Sequence, residues 1–138
     1  MFTVEPYIAF QGGSCKEAIA FYQSALGAKL LFSQTFGESP MADSGNADNI
    51  MHCTLQIGNS KIMMCDDPSP DGSAPGAMIS LAIGLSDAAK ANELFDNLAA
   101  SGTVIMPIQQ TFWAAAFGMV TDKFGIKWMV NCEGPQAA

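Results

Sequence analysis

One histidine, four cysteines and a scatter of carboxylates and hydroxyls make up the chemically active inventory of this 138-residue chain. His52, in the run IMHCTLQI, is the residue type best suited to act as a general acid or base. A single imidazole cannot build a conventional zinc site, which takes three or four His, Cys or carboxylate ligands. Cys15, Cys53, Cys65 and Cys132 lie far apart and form no C-x-x-C, so they read as small, reduced core residues. Cys15 stands near the start of an expected helix, where a lowered thiol pKa would suit a redox sensor. Ser80, Cys53 and Cys65 are each conceivable partners for His52, but no nucleophile-elbow motif fixes such a pair. Asp66 and Asp67 open a stretch rich in Pro and Gly and read as turn formers. Gly12-Gly13 precedes a helix, a place where an anion can bind, and loop geometry explains the two glycines equally well.

The elements that must position these groups come from a chain with 49% apolar and 14% charged residues, a globular balance. At this length a fold buries about two-thirds of the surface its unfolded chain exposes, so no metal or disulfide staple is required. The net charge of −7, with only six Lys and Arg, argues against nucleic acid or an anionic membrane as partner. The start MFTVEP has no basic region followed by a long apolar run, so no secretory signal is expected. No apolar segment reaches membrane-spanning length, and the cytoplasm is the expected compartment.

Along the chain the same order of elements occurs twice. PYIAF alternates as a strand, and SCKEAIAFYQSALGA follows as a helix. Ser14 and Glu17 have the spacing of a capping box, Ala18, Ile19, Tyr22 and Leu26 recur at helical spacing, and Gly27 suits a left-handed terminator. KLLFSQTF reads as a strand, GESPMADSGNADN as a polar loop, and IMHCTLQI and KIMMCD as a hairpin turning at Gly58-Asn59. After the linker 67–76 comes a strand, AMISLAIGL, and a helix capped by Ser86 or Asp87 and closed by Gly102. Ala91, Leu94, Phe95 and Leu98 form its apolar stripe. TVIMPIQQTFW, AAFGMVTD and GIKWMVN are three further strands, with a turn from Asp122 to Gly125 between the last two. In IMHCTLQI, alternation places His52 with Ile50, Thr54 and Gln56. In the last strand it sets Trp128 among core residues, and leaves Trp113 free to line a cleft or a subunit interface. The expectation is an α+β fold of two βαβββ modules, 4–66 and 77–132, forming a single domain. Their sheets, or those of two chains, can curl around a shared cleft.

The words YIAFQGGSCKEAIAFYQSALGA, IGNSKIMMCDD, QTFW and FGMVTDKFGIKWMVN closely resemble the PhnB-like branch of the vicinal-oxygen-chelate superfamily. That superfamily includes glyoxalase I, bleomycin-resistance proteins and extradiol dioxygenases, and the resemblance runs from Pro6 to Asn131. It implies the paired-module fold and a homodimer. Metal-dependent members carry His, Glu or Gln ligands on four strands, and the matching positions here are Tyr7, Met63 or Met64, about Ser80, and Met129. None is a hard-metal ligand, so neither a metal nor another cofactor is expected. The resemblance implies a small-molecule ligand in an apolar cleft lined by Tyr7, His52, Ser80, Trp113, Phe117 and Met129. Three other readings stand beside that one: a lyase or isomerase using His52, a drug-sequestering protein, and the methyltransferase named in the label many branch members carry. The last lacks the glycine-rich loop that the common doubly wound methyltransferases use.

Overall fold

The computed structural model describes residues 3–39, 46–67, 79–111 and 113–134; most of the linker 67–76 and part of the loop after KLLFSQTF lie outside them. The chain divides into two compact units, residues 1–74 and 75–138. The first contains β1 (Tyr7–Phe10), α1 (Cys15–Leu26), β2 (Lys29–Thr35), β3 (Ile50–Ile57) and β4 (Ser60–Asp66). Its sheet has the order β1-β4-β3-β2, with β1 and β4 parallel and the other pairs antiparallel. The second repeats the plan with β5 (Leu81–Leu85), α2 (Ala88–Ala99), β6 (Thr103–Gln109), β7 (Ala114–Thr121) and β8 (Lys127–Glu133), in the order β5-β8-β7-β6. Both units are βαβββ modules, and no described helix is long and apolar enough to cross a membrane.

The start of α1 departs from the expected capping box. Ser14 makes no side-chain cap, and its hydroxyl donates backwards to the Gln11 carbonyl at 2.9 Å. The cap comes instead from the far end of the module. Asp66, the last residue of β4 and only 1% exposed, accepts from the Cys15 backbone N–H at 2.9 Å and the Ile50 N–H at 2.7 Å. A carboxylate at a helix N-terminus satisfies an orphan donor and meets the positive end of the helix dipole. Asp66 is therefore a buried tie between α1, β3 and β4, rather than a turn former. The other end of α1 follows expectation: Gly27 is left-handed at φ 68°, and its N–H returns to the Gln23 carbonyl.

With α1 pinned, Cys15, Ala18, Ile19, Tyr22 and Ala25 are buried on its inner side. Cys53, Leu55, Ile62 and Met64 form the buried face of the sheet beneath. Ile50 joins this buried set, although alternation places it with His52. A register shift explains the difference: Gln34 pairs with His52 but Thr35 pairs with Ile50, so Met51 is an extra residue and the strand changes phase there.

In the second unit Asp87 caps α2 by accepting from the Lys90 N–H at 3.2 Å. Ala91, Phe95 and Leu98 are its buried stripe, while Leu94 is only half-buried. Gly102 is not the helix terminator, since the helix ends at Ala99 with Ala100 as its cap. A Cβ at Gly102 would collide with the Thr121 carbonyl, so close backbone approach explains the glycine. The Asp122–Gly125 turn forms as read, with Gly125 at φ 89° and Asp122 accepting from the Phe124 and Ile126 N–H groups. Asp122 also accepts from Trp128 Nε1 at 2.9 Å, which satisfies the buried indole. The outer strands β2 and β6 both expose apolar side chains, Leu31 and Phe32 on one, Val104 and Ile105 on the other.

Replacing Asp66 by Ala leaves two buried N–H groups without an acceptor. At roughly 1–3 kcal/mol per orphaned group, the expected cost is about 3 kcal/mol. Urea unfolding followed by far-UV circular dichroism should show a lowered midpoint for the Asp66→Ala protein and a smaller drop for Asp66→Asn. An unchanged midpoint for the alanine variant would refute the tie.

Candidate functional site

Each sheet gives one face to its own helix and leaves another turned away from it. On the turned-away face of the first sheet, the pairing Tyr7–Met63, Met63–Thr54 and Thr54–Phe32 sets one row of side chains across all four strands. A neighbouring row contains Ala9 paired with Cys65, and His52 paired with Gln34. A third contains Lys61, Gln56 and Lys29.

Tyr7 and His52, separate in sequence, meet here. The Tyr7 hydroxyl lies 3.1 Å from His52 Nδ1, and Thr54 Oγ1 lies 3.4 Å from the other ring nitrogen, Nε2. Phe32 flanks the imidazole with its ring centroid 6.0 Å away, and the Tyr7 ring lies at 5.6 Å. Half of Tyr7 and half of Phe32 remain exposed, so this polar centre has accessible aromatic walls. Burial around its hydroxyl, reinforced by the neighbouring Cys65 thiol, pushes the Tyr7 phenol from 10.0 up to about 12. The phenol is thus a neutral hydrogen-bond donor at physiological pH.

The cysteines divide by face. Cys15 and Cys53 are fully buried, with their sulfurs 3.9 Å apart. The hydrogen bond to Cys53, and then burial, push the Cys15 thiol far up. Its place at a helix N-terminus does not activate it, contrary to the expectation for a sensor thiol, because the Cys53 contact and burial outweigh the helix end, whose Cys15 N–H already donates to Asp66. Cys65 faces the other way, beside Tyr7, and burial pushes its thiol up as well.

On the turned-away face of the second sheet, Ala82, Met129, Met119 and Met106 form one row, and Gly84, Asn131, Phe117 and Gln109 the next. Trp113 is 43% exposed and meets Phe117 edge-on, with ring centroids 5.4 Å apart. Phe117 and Met129 therefore share this face and Trp113 adjoins it. Ser80 lies just before β5, and the β5 residue level with Met129 is Ala82, two positions on from the expected Ser80. A dent of about 150 Å³ near Ile105, Met119, Thr121 and Lys127 is smaller than the roughly 300 Å³ of a drug-sized pocket, and neither Trp113, Phe117 nor Met129 lines it.

Thr54 and Phe32 are missing from the expected site, and Cys65, weighed there only as a partner for His52, lies beside Tyr7. Alternation had already placed Thr54 beside His52, whereas Phe32 and Cys65 come to that face only through strand register. The positions matched to metal ligands do not suit a metal. Met64 is buried under α1, Met63 and Met129 present thioethers, Tyr7 a neutral phenol and Ala82 no donor. Among the described residues no group of three His, Cys, Asp or Glu side chains is arranged to hold an ion.

The family model for the Glyoxalase/Bleomycin resistance protein/Dioxygenase superfamily matches residues 6–130. Protein YjdN of Escherichia coli (strain K12) is 41% identical over 139 residues, covering 93% of this chain and 93% of its own. Among solved structures, protein PA1353 from Pseudomonas aeruginosa is 39% identical with a TM-score of 0.86, covering 96% of this chain and 98% of its own. The PhnB protein from Bacillus cereus shares the fold at 20% identity and a TM-score of 0.81, with 95% and 99% coverage.

The Tyr7 phenol carries a pH consequence. Its folded pKa lies above the unfolded value, so its contribution to stability is complete below pH 10 and is lost as pH rises through about 12. Ultraviolet titration should show a tyrosinate step near pH 12 that the Tyr7→Phe protein lacks. A Tyr7-dependent step near pH 10 would contradict the shielded hydroxyl.

Proposed function

We propose that this chain, which belongs to the Glyoxalase/Bleomycin resistance protein/Dioxygenase superfamily, binds a small organic molecule on the turned-away face of its first sheet. The observation that carries this reading is the Tyr7–His52 hydrogen bond, set on a sheet face between the half-exposed rings of Tyr7 and Phe32. A structural core would bury such a pair whole; here half of each flanking ring remains exposed although the Tyr7 hydroxyl itself is shielded. Binding sites combine apolar walls with a few fixed polar groups in this manner. The second sheet has its own apolar set, with Phe117 and Met129 on its turned-away face and Trp113 adjoining it. Metal chemistry has no part in this reading, because the donor atoms at the matching strand positions are thioethers and a phenol. A homodimer belongs to the same proposal, and sedimentation at micromolar concentration tests it directly.

The geometry also bears on whether the ligand is transformed. His52 has one nitrogen paired with a neutral phenol and the other near a hydroxyl, a setting that orients the ring. Proton transfer by His52 would make the protein a lyase or isomerase, and a face that only orients its ligand would make it a sequestering protein. Turnover separates these two.

Thermal-shift screening of a metabolite and drug library is the direct test. A true ligand should raise the melting temperature of the wild type by several degrees and that of Tyr7→Phe and His52→Ala by about half as much or less. Equal shifts in all three proteins would remove the ligand from this face. Incubating each hit with stoichiometric protein and looking for product by mass spectrometry then distinguishes an enzyme from a binder.

A further inference from the structure

We infer that Tyr7, His52 and Thr54 form a directed hydrogen-bond relay that leaves the Thr54 hydroxyl free to donate, and that the ligand is a small organic acid presenting its carboxylate there. The inference rests on the binding face proposed above and adds the chemical class of its ligand.

The direction follows from the relative strengths of the groups. Tyr7 and His52 share one hydrogen bond at 3.1 Å, and either could supply its proton. A phenol is the more acidic donor and an imidazole nitrogen the more basic acceptor, so the phenol donates to Nδ1. The neighbouring Cys65 thiol is a weak acceptor and does not compete. With Nδ1 accepting, the proton of the neutral ring sits on Nε2. That nitrogen faces Thr54 Oγ1 at 3.4 Å and donates to it. Thr54 then spends a lone pair on the histidine and keeps its own proton for a partner outside the relay. The hydroxyl lies between Met63 and Phe32, its neighbours across the sheet, so what approaches it passes two apolar side chains.

The charge of the ligand follows from the next row. The chain has six basic residues and a net charge of −7, yet strand pairing sets Lys29 and Lys61 on either side of Gln56, two residues along β3 from Thr54. Residues two apart on a strand are separated by about 6–7 Å, within the reach of a lysine side chain. A carboxylate can accept from Thr54 and lie in the field of both ammonium groups, while its organic body packs on Phe32, Met63 and Tyr7. A cation has no counter-charge in these rows.

His52 is the only histidine in the chain, so its ring nitrogens can be assigned without ambiguity by nitrogen-15 NMR. The relay requires the Nε2–H tautomer in the neutral wild type and a mixture in Tyr7→Phe; an Nδ1–H tautomer in the wild type overturns it whether or not any ligand binds. Phenylacetate, phenylacetamide and ethylbenzene then serve as a matched probe set, titrated by NMR. Phenylacetate should bind about tenfold more tightly than ethylbenzene, with the amide between them. Thr54→Val should lose about fivefold for phenylacetate, Thr54→Ser should restore it, and Lys29→Gln with Lys61→Gln should bring the acid down to the amide. Equal binding of all three probes overturns the acid preference while leaving the binding face intact. Failure of all three to perturb the Thr54 and His52 signals overturns the carboxylate assignment, even if the tautomer is as expected.

Discussion

The buried carboxylate of Asp66 is the constraint on which the first module depends. It closes a gap at which three elements end or begin, because α1 and β3 each start with a backbone N–H that points into protein and β4 ends beside both. Without an acceptor in that gap, the helix would begin on an unsatisfied donor in a dry setting, a cost that is a sizeable fraction of a domain's net stability. The tie also decides which face of the sheet is covered. Once α1 is anchored over Cys53, Leu55, Ile62 and Met64, the residues that alternate with them along β3 and β4 must face away, and among these are His52, Thr54 and Met63. The candidate site is thus a by-product of helix placement: the pairing that buries the core displays the polar rows.

The second module solves the corresponding problem by different means. Its helix is capped locally by Asp87, and its buried carboxylate, Asp122, sits in a hairpin and holds Trp128. Close approach takes over where the first module uses a tie. A Cβ on Gly118 would lie 2.8 Å from the Phe95 ring and 2.9 Å from the Ile108 backbone, so β7 owes its fit against helix and edge strand to that missing side chain. Two modules of the same topology therefore carry unlike faces: the first has a phenol, an imidazole and two ammonium groups, the second mostly thioether and aromatic surface.

Much of this was legible in the residue order. Alternation in IMHCTLQI and GIKWMVN matches β3 and β8 closely, and the positive-φ glycines at 27 and 125 mark the helix end and the final hairpin. What escaped has a common physical origin, since each case depends on a partner distant in sequence. The capping box at Ser14 and Glu17 was a local pattern overruled by an acceptor 51 residues away. The phase change at Met51 is invisible until β2 is laid beside β3. Gly102 has the spacing of a helix terminator, and only the Thr121 carbonyl reveals its purpose. For the site, the chain shows His52 and Tyr7 as separate polar residues. Their hydrogen bond, the place of Phe32 beside them and the gathering of Lys29 with Lys61 all follow from register.

The outer strands also make the two halves unequal in crowded solution. An edge strand with free N–H and C=O groups is a template for any unpaired strand that meets it. Pro107, in the middle of β6, has no N–H to offer and sits where the pairing with β7 slips between Met106 and Gln109, so a visiting strand finds an interrupted ladder. β2 contains no proline, and Lys29 is its only charge ahead of Leu30, Leu31 and Phe32. The same lysine that lends positive potential to the polar rows is thus the gatekeeper of the more adhesive edge, and its loss would alter colloidal behaviour.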